Sequence, residues 1–203
     1  EQIANLFTLN QNDRFANQIA LYQLARLNSL LALQDPTAEQ QQQFQNAIAN
    51  GINSAEQAIS LDPTEPRHHA VLGSIYSVLA TAGVEGSRER AETALARARE
   101  LDPRNPEHTL LEAQLHARLG EIDVAREKAL EAVRLKRNYT DALYFSSQLE
   151  IAAGNTPAAI EATQAMVSLE PQNAARYYQL GVLHTAEQNI DEAIVAFERA
   201  VSI

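Results

Sequence analysis

Cysteine is absent from the 203 residues of this chain, which excludes disulfide bonds and thiolate metal sites. The compartment stays open, because cytoplasm and periplasm fit a cysteine-free chain equally well. Long apolar runs are also absent: Arg26, Asn28 and Gln34 interrupt the longest stretches, and a membrane helix needs roughly 18 uninterrupted residues. We therefore expect a soluble segment without direct membrane insertion. Since no leader-like stretch follows Glu1, we expect a piece of a longer protein, with any targeting signal or membrane tether outside it.

Basic residues are scarce relative to acidic ones. The formal net charge is -10 and the pI is about 4.9, which argues against nucleic acid and anionic lipid as partners. A basic ligand and a simple role in solubility are both compatible with this charge. Arg134, Lys136 and Arg137 form a local exception. They lie at a predicted helix end, where cations complement exposed carbonyl groups, so we interpret them as helix-capping residues and not as a docking site.

Two series of positions recur with a step of 34 residues. The first series consists of alanines, and the second, seven residues further on, of three alanines and a methionine. The series are Ala91, Ala125, Ala159, Ala193 and Ala98, Ala132, Met166, Ala200. Seven residues are two turns along one helix face, and a self-similar period of this length is typical of stacked helical hairpins. The sequence therefore predicts an all-α helical-hairpin solenoid.

The repeat divides the chain into hairpins of two antiparallel helices. They start at Pro66, Pro106, Thr140 and Ala174 and span residues 66–105, 106–139, 140–173 and 174–203, the last being truncated. Residues 1–65 fit the repeat less well and are predicted to form an enlarged first hairpin, with helices at about 14–33 and 38–60. Thr37 and Gln40 have capping-box spacing at the start of the second helix. Leu9–Asp13 is similar to a unit ending, so residues 1–8 are interpreted as the stub of an earlier helix.

A small residue recurs in each first helix, where two helix backbones must approach closely. The series is Gly73, Ala113, Ser147 and Gly181, and the residues directly before it are Leu72, Glu112, Ser146 and Leu180. Because two members of this second series are polar, we expect their repeats to be locally weaker.

The ends of the predicted helices carry their own signals. Each unit ends in a large aliphatic residue, and proline follows two residues later in most units: Leu61, Leu101, Leu135, Leu169 and Ile203, with Pro63, Pro103 and Pro171. Gly120 and Gly154 are predicted to take the left-handed conformation of a helix end, and Thr156 is predicted to cap the helix that Pro157 starts.

The unit 66–105 is six residues longer than the others. The insertion is placed near Thr81–Ser87, between the paired helices, and it contains Gly83 and Gly86. A longer loop between helices is either a binding element or a neutral insertion, since surface loops tolerate additions.

The last unit resembles the tetratricopeptide repeat (TPR) family. Its residues Tyr177, Leu180, Gly181 and His184, followed by Ala193, Phe197 and Ala200, are similar to the family pattern W-x-x-L-G-x-x-Y…A…F…A, with Tyr for Trp and His for Tyr. The resemblance extends over residues 66–203. It implies a right-handed superhelix whose first helices line a concave groove.

The resemblance also implies which side chains face that groove. The candidate peptide-binding residues are Leu110, Leu111, Gln114, Tyr144, Phe145, Gln148, Tyr178, Gln179 and Val182. Chaperone-binding members of the family grip a terminal carboxylate with Lys and Asn, but Ala70, Ser74, Leu110 and Gln114 stand at those places, so that clamp is missing. The rings and amides suit an extended neutral peptide. Alternatively, the aromatic residues only pack between adjacent repeats.

Catalytic and metal chemistry have little support in the sequence. The only candidate residue type is histidine, at His68, His69, His108, His116 and His184. His116 and His184 hold the same repeat position as Tyr76, which packing explains, and His108 is about two turns from His116, too far for both to ligate one ion. No phosphate loop or hydrolase motif is present. We expect no enzymatic activity, no cofactor and no metal.

The leading hypothesis is therefore a non-catalytic scaffold that binds a peptide or protein segment. The alternative is self-association, or regulation within a larger bacterial membrane protein. Residues 26–32 and 79–86 look similar to soluble TPR regions attached to O-antigen ligase or polymerase-like membrane proteins. That resemblance rests on these two short sequence segments. A homo-oligomer fits the alternative, because an uncapped apolar helix face tends to find a neighbour.

Overall fold

Helices account for nearly all of the chain that the structure describes. This computed structural model describes the backbone of residues 2–203 and the side chains of residues 12–203. Within that range it contains ten α-helices and no strand. The helices are α1 (Gln2–Leu31), α2 (Ala38–Leu61), α3 (Pro66–Thr81), α4 (Ser87–Leu101), α5 (Pro106–Arg118), α6 (Ile122–Leu135), α7 (Thr140–Ala152), α8 (Thr156–Leu169), α9 (Ala174–Ala186) and α10 (Ile190–Ser202). The prediction of an all-α helical-hairpin fold is confirmed.

The helices form two compact units. Unit 1 (Glu1–Leu119) contains α1 to α5, and unit 2 (Gly120–Ile203) contains α6 to α10. In unit 1 the hairpins α1/α2 and α3/α4 pack against each other, and α3 also contacts α5; in unit 2, α6 packs against α7, and the hairpins α7/α8 and α9/α10 pack through α8 and α9. The predicted repeat 106–139 contributes one helix to each unit. The division of the chain into repeats stays a prediction.

The first hairpin is larger than the hairpins that follow it. Helices α1 and α2 contain 30 and 24 residues, whereas α5, α7 and α9 contain 13 each. The proposed stub of an earlier helix is wrong, because α1 continues without a break through Leu9–Asp13. Gln11 stands where three of the unit endings have Pro63, Pro103 and Pro171, so the proline that follows those helices is missing here.

Small residues allow the paired helices to approach closely. A Cβ atom added to Gly73 would lie 2.7 Å from Cγ and Cδ2 of Leu95, and one added to Gly181 would lie 2.6 Å from Cε1 of Phe197. The ordinary carbon–carbon contact distance is about 3.5–4.0 Å. Each glycine on a first helix therefore makes room for a large side chain on the second helix of its hairpin.

In the hairpin α7/α8, two hydroxyl side chains meet where the hairpins α3/α4 and α9/α10 place a glycine against a large side chain. Ser147 stands where Gly73 and Gly181 stand in their hairpins, and its Oγ lies 3.0 Å from Oγ1 of Thr163. The Thr163 hydroxyl donates to the carbonyl oxygen of Ala159 at 2.8 Å. Both side chains are fully buried, so their hydrogen bonds compensate for the loss of water.

Most of the predicted helix-end signals are confirmed. Gly120 and Gly154 have φ angles of +78° and +72°, and Thr37 and Gln40 form both hydrogen bonds of a capping box. The cap proposed for Thr156 is wrong: Thr156 is the first residue of α8, and Asn155 holds the cap position. The turn after Gly154 is one residue shorter than the sequence suggested.

The six additional residues of the second hairpin, α3/α4, are mostly helical. Helix α3 has 16 residues, three more than α5, α7 and α9, and α4 has 15, one more than α6 and α8. Residues 82–86 separate the two helices, compared with three residues between the helices of each later hairpin. The predicted location of the insertion in the loop is therefore only partly correct, since only two additional residues lengthen it.

Candidate functional site

In unit 1 the candidate residues lie on α5. Leu110 is only 4% exposed and belongs to the interior, so it offers little surface to a ligand. Leu111 and Gln114 are half-buried and line a small cavity of about 140 Å³ between α1, α3 and α5. The Arg118 guanidinium donates to Asn28 Oδ1 from both Nη atoms at 3.4 Å across this cavity. This part of the predicted groove is shallow and polar at its edge.

In unit 2 the candidate aromatic residues lie on α7 and α9. Tyr144 is 42% exposed and Tyr178 is 61% exposed, while Phe145 is half-buried. The Arg176 guanidinium carbon lies 4.6 Å from the centre of the Tyr144 ring. The ring of Tyr178 tilts against that of Phe197 at a centroid distance of 5.6 Å. Each tyrosine ring thus contacts a neighbouring side chain and keeps a large part of its area in solvent.

The candidate amides behave differently from each other. Gln179 Nε2 donates to Ser147 Oγ at 3.1 Å, which ties α9 to the buried hydroxyl pair of α7 and α8. Gln148 is exposed on α7, and Val182 is 46% exposed on α9. Gln179 therefore packs between repeats, whereas Gln148 and Val182 are accessible.

We refer to Tyr144, Gln148, Tyr178 and Val182, together with half-buried Phe145, as the α7/α9 surface. Two cross-helix contacts bring its helices together: the guanidinium of Arg176 over Tyr144 and the hydrogen bond from Gln179. The surface combines exposed rings, an exposed aliphatic side chain and a free amide. Such a combination can bury apolar area and pair with a peptide backbone.

Sequence reasoning missed a partly buried ion pair between α6 and α7. Glu150 is 4% exposed, and its carboxylate accepts hydrogen bonds from Arg126 Nε at 2.8 Å and Nη2 at 2.7 Å. Asn155 Nδ2 donates a third at 2.8 Å. These bonds to Glu150 raise the pKa of Arg126. The repeat did carry a signal, because Glu150 holds the position of Tyr76, His116 and His184, which is buried or half-buried in each unit.

The polar residue Glu112 also has a partner. It is 8% exposed, and its Oε1 lies 3.0 Å from Nε of Arg99 on α4. A charge in this position of the repeat is therefore compensated within unit 1.

The histidines are mostly packed inside the fold. His68 Nε2 lies 3.1 Å from Asp13 Oδ2 in the interior of unit 1. Burial lowers the pKa of His108, with nearby carboxylates, Glu107 foremost, opposing that shift. His184 is 8% exposed. Among the described residues, no three His, Asp or Glu side chains are grouped as a metal site would require.

A family model identifies the repeat. The model described as tetratricopeptide repeat matches residues 82–142 and 147–203, more than half of the chain. The chain belongs to the tetratricopeptide repeat family. No curated protein matches it. As a TPR protein it has the fold of a protein-interaction scaffold.

Solved TPR structures share this architecture. PilF of Pseudomonas aeruginosa superposes with a TM-score of 0.69 at 13% identity, covering 96% of this chain and 78% of PilF. A MamA fragment from Desulfovibrio magneticus RS-1 gives 0.61 at 14% identity, with 94% of each chain covered. YrrB, described as a TPR protein with an unusual peptide-binding site, gives 0.56 at 18% identity and covers 77% of this chain and 78% of its own. At these identities the likeness establishes the fold alone.

In the described part of the chain, no helix combines the length and the apolar composition that crossing a bilayer requires.

Proposed function

We propose that this TPR protein is a non-catalytic scaffold that binds an extended, near-neutral peptide or protein segment on the α7/α9 surface. The exposure of Tyr144 and Tyr178 carries the proposal. Both rings are held in place by a neighbouring side chain and still keep 42% and 61% of their area accessible. A ring that is already oriented loses little conformational entropy when a ligand covers it.

The polar groups of this surface favour a peptide backbone as the ligand. Gln148 on α7 offers both an amide donor and an amide acceptor to solvent. Val182 on α9 adds aliphatic area next to Tyr178. Leu111 and Gln114 are proposed as peptide-contact residues of unit 1 by itself. Leu110 and Gln179 are not proposed as ligand contacts, because Leu110 is buried and the Gln179 amide donates to Ser147.

A displayed library of random peptides selected on the immobilised protein tests this proposal. We expect peptides selected on the wild-type protein to lose capture by the Tyr144→Ala, Tyr178→Ala double variant. The matched control is Phe15→Ala with Tyr22→Ala, which removes two rings from α1 that are 64% and 62% exposed. Circular dichroism verifies that both variants keep their helices. Undiminished capture by the Tyr144, Tyr178 variant would reject the α7/α9 surface.

Self-association is the second candidate function, and the exposed face of α10 favours it. Ile190, Ile194 and Val201 lie along one side of α10 and are 55%, 49% and 87% exposed, and Val195, about a third of a turn away, is 65% exposed. In the preceding hairpin, Ile160 holds the position of Ile194 and is half-buried where α8 packs against α9. Exposed apolar faces of this kind are typical of contact sites.

Light scattering over a range of protein concentrations tests this second candidate. We expect the wild-type mass to rise with concentration and an Ile194→Glu, Val195→Lys variant to remain monomeric. A wild-type protein that stays monomeric at high concentration would exclude self-association.

Regulation within an O-antigen ligase or polymerase-like membrane protein remains a proposal that rests on residues 26–32 and 79–86, and the full reading frame of the gene tests it.

A further inference from the structure

A second groove lies on the other side of α7. Helices α6 and α8 form its walls, α7 forms its floor, and its cavity volume is about 580 Å³, within the range of ligand sites in proteins. We call it the α6/α8 groove. Its apolar lining includes Leu130, which is 42% exposed, and Val133 and Leu143. The α8 wall presents only alanines and one glutamate, so a bound segment can approach the helix closely.

Three arginines also line the α6/α8 groove: Arg126, Arg134 and Arg137. Arg126 is neutralised by Glu150. Arg134 and Arg137 are exposed, and neither forms an ion pair or a hydrogen bond with another side chain in the described part of the chain. Glu161 is the remaining charged group of the lining. The groove therefore has a net positive charge in a protein of net charge -10.

The two unpaired arginines are specific to this repeat. Arg137 stands where the other units have Pro63, Pro103 and Pro171, and Arg134 stands where three units have serine and one has glutamate. Capping of α6 accounts for a cation at Arg134 but not for a second one beyond the end of the helix. The sequence-based interpretation of this cluster as capping alone is therefore incomplete.

Equivalent grooves elsewhere in the fold lack this charge. The groove between α2 and α4 has a volume of about 810 Å³, and its lining contains two arginines and two glutamates, so these charges balance. The groove beside α10 has a volume of about 520 Å³ and is lined by Asp191 and Glu192 with a single arginine. The same geometry thus recurs with neutral or negative linings, and only the α6/α8 groove among these three complements an acidic ligand.

We propose that the α6/α8 groove binds an acidic amphipathic segment of a partner protein. Apolar side chains of the segment lie on Leu130, Val133 and Leu143, and its carboxylates pair with Arg134 and Arg137. The apolar lining disfavours a bare phosphate group, and the overall negative charge of the protein disfavours nucleic acid. This site is separate from the α7/α9 surface and is independent of the function proposed for it.

Fluorescence anisotropy with the full chain tests the groove. The probe is a labelled synthetic peptide as long as α6, with leucines along one helix face and glutamates along the other. We expect saturable binding that weakens about tenfold in the Arg134→Gln, Arg137→Gln variant, or about threefold for each exposed charge pair. A matched peptide with glutamine in place of glutamate should lose a similar factor. Ala162→Gln, which fills the groove without changing its charge, should also weaken binding.

The controls separate the site from the overall charge of the protein. Arg97→Gln with Arg199→Gln removes the same charge from the two equivalent grooves, and binding should remain as in the wild type. Tyr144→Ala with Tyr178→Ala should also leave it unchanged, so this proposal and the function proposed for the α7/α9 surface can fail separately. Absence of saturable binding, equal loss in the Arg97, Arg199 variant, or undiminished binding of the glutamine peptide would overturn the inference. Equally tight binding of a single-stranded oligonucleotide that depends on Arg134 and Arg137 would overturn it as well.

Discussion

Substitution of Gly73 by alanine should destabilise unit 1 even though alanine is the better helix former. The added Cβ would lie 2.7 Å from Cγ and Cδ2 of Leu95 and 3.1 Å from its backbone nitrogen. Carbon atoms in contact lie about 3.5–4.0 Å apart, so α3 and α4 must separate by nearly 1 Å or Leu95 must leave its rotamer. Overpacking of this kind costs about 1–3 kcal/mol. The backbone contact cannot be relieved by rotating a side chain, which places the cost near the upper end.

The helix propensity of alanine offsets part of that cost. Alanine gains about 1 kcal/mol over glycine in a helix interior, so we expect a net loss of about 2 kcal/mol. Gly51→Ala is the matched control, because its Cβ would lie 3.2 Å from Gln23 Cβ and 3.3 Å from Ile75 Cδ1. The terminal carbon of Ile75 can rotate away, whereas the Gln23 Cβ moves only with the backbone of α1, by a few tenths of an ångström. The control should therefore stay close to neutral and cost less than Gly73→Ala.

Urea denaturation followed by circular dichroism measures the difference, and hydrogen exchange assigns the lost protection to α3 and α4. The substitution Leu95→Ala removes the atoms that clash, so its cost and that of Gly73→Ala should fall short of additivity by at least about 1 kcal/mol in the double variant. If Gly73→Ala and Gly51→Ala change the free energy of unfolding equally, the close approach of α3 and α4 does not limit stability, and the reasoning is wrong.

Three further outcomes follow from single positions. Gln188 has a φ of +60° at the helix-end position that Gly154 holds in the preceding hairpin. Because glycine takes a positive φ at little steric cost, Gln188→Gly should stabilise unit 2 by about 0.5–1 kcal/mol, and Gly154→Gln should destabilise it. The midpoints of urea denaturation measure both changes. Thr37→Ala should lower stability by about 1 kcal/mol while Thr37→Ser preserves it, because only the former loses the bond from the Gln40 N–H. Burial lowers the pKa of His108 in the folded state, so the unfolded chain takes up the proton first as pH falls. The stability of unit 1 should therefore decline below about pH 6.5, the unperturbed value, and His108→Leu should flatten that decline; an identical pH dependence in the variant would remove His108 as its cause.

Much of the fold could be predicted from local signals. Helices α3, α5, α7 and α9 begin at Pro66, Pro106, Thr140 and Ala174, the residues at which the repeat placed its hairpins. Periodicity and end signals are enough there, because a helix start depends on residues within one turn. The insertion in residues 66–105 was placed less well, since nothing in the sequence distinguishes an added loop residue from an added helical residue in α3.

The candidate site could be predicted only in part. The repeat placed Tyr144 and Tyr178 at equivalent positions on their helices, but it could not tell that Gln179 bonds to Ser147 while Gln148 remains free. That difference depends on the rotamers that neighbouring helices allow. The pairing of Glu150 with Arg126 was missed for the same reason, because the partners are 24 residues apart and meet only when α6 packs against α7.

The sequence by itself determined that this protein is a helical TPR array, since a 34-residue period and its end signals are properties of local chain geometry. It also determined that the array is acidic and free of cysteine. The tertiary structure decided which large residue fills the space beside each small one, which charges are neutralised, and that Arg134 and Arg137 share a groove with Leu130. Packing distances and desolvation set these outcomes, and both arise only when helices distant in the chain are brought into contact.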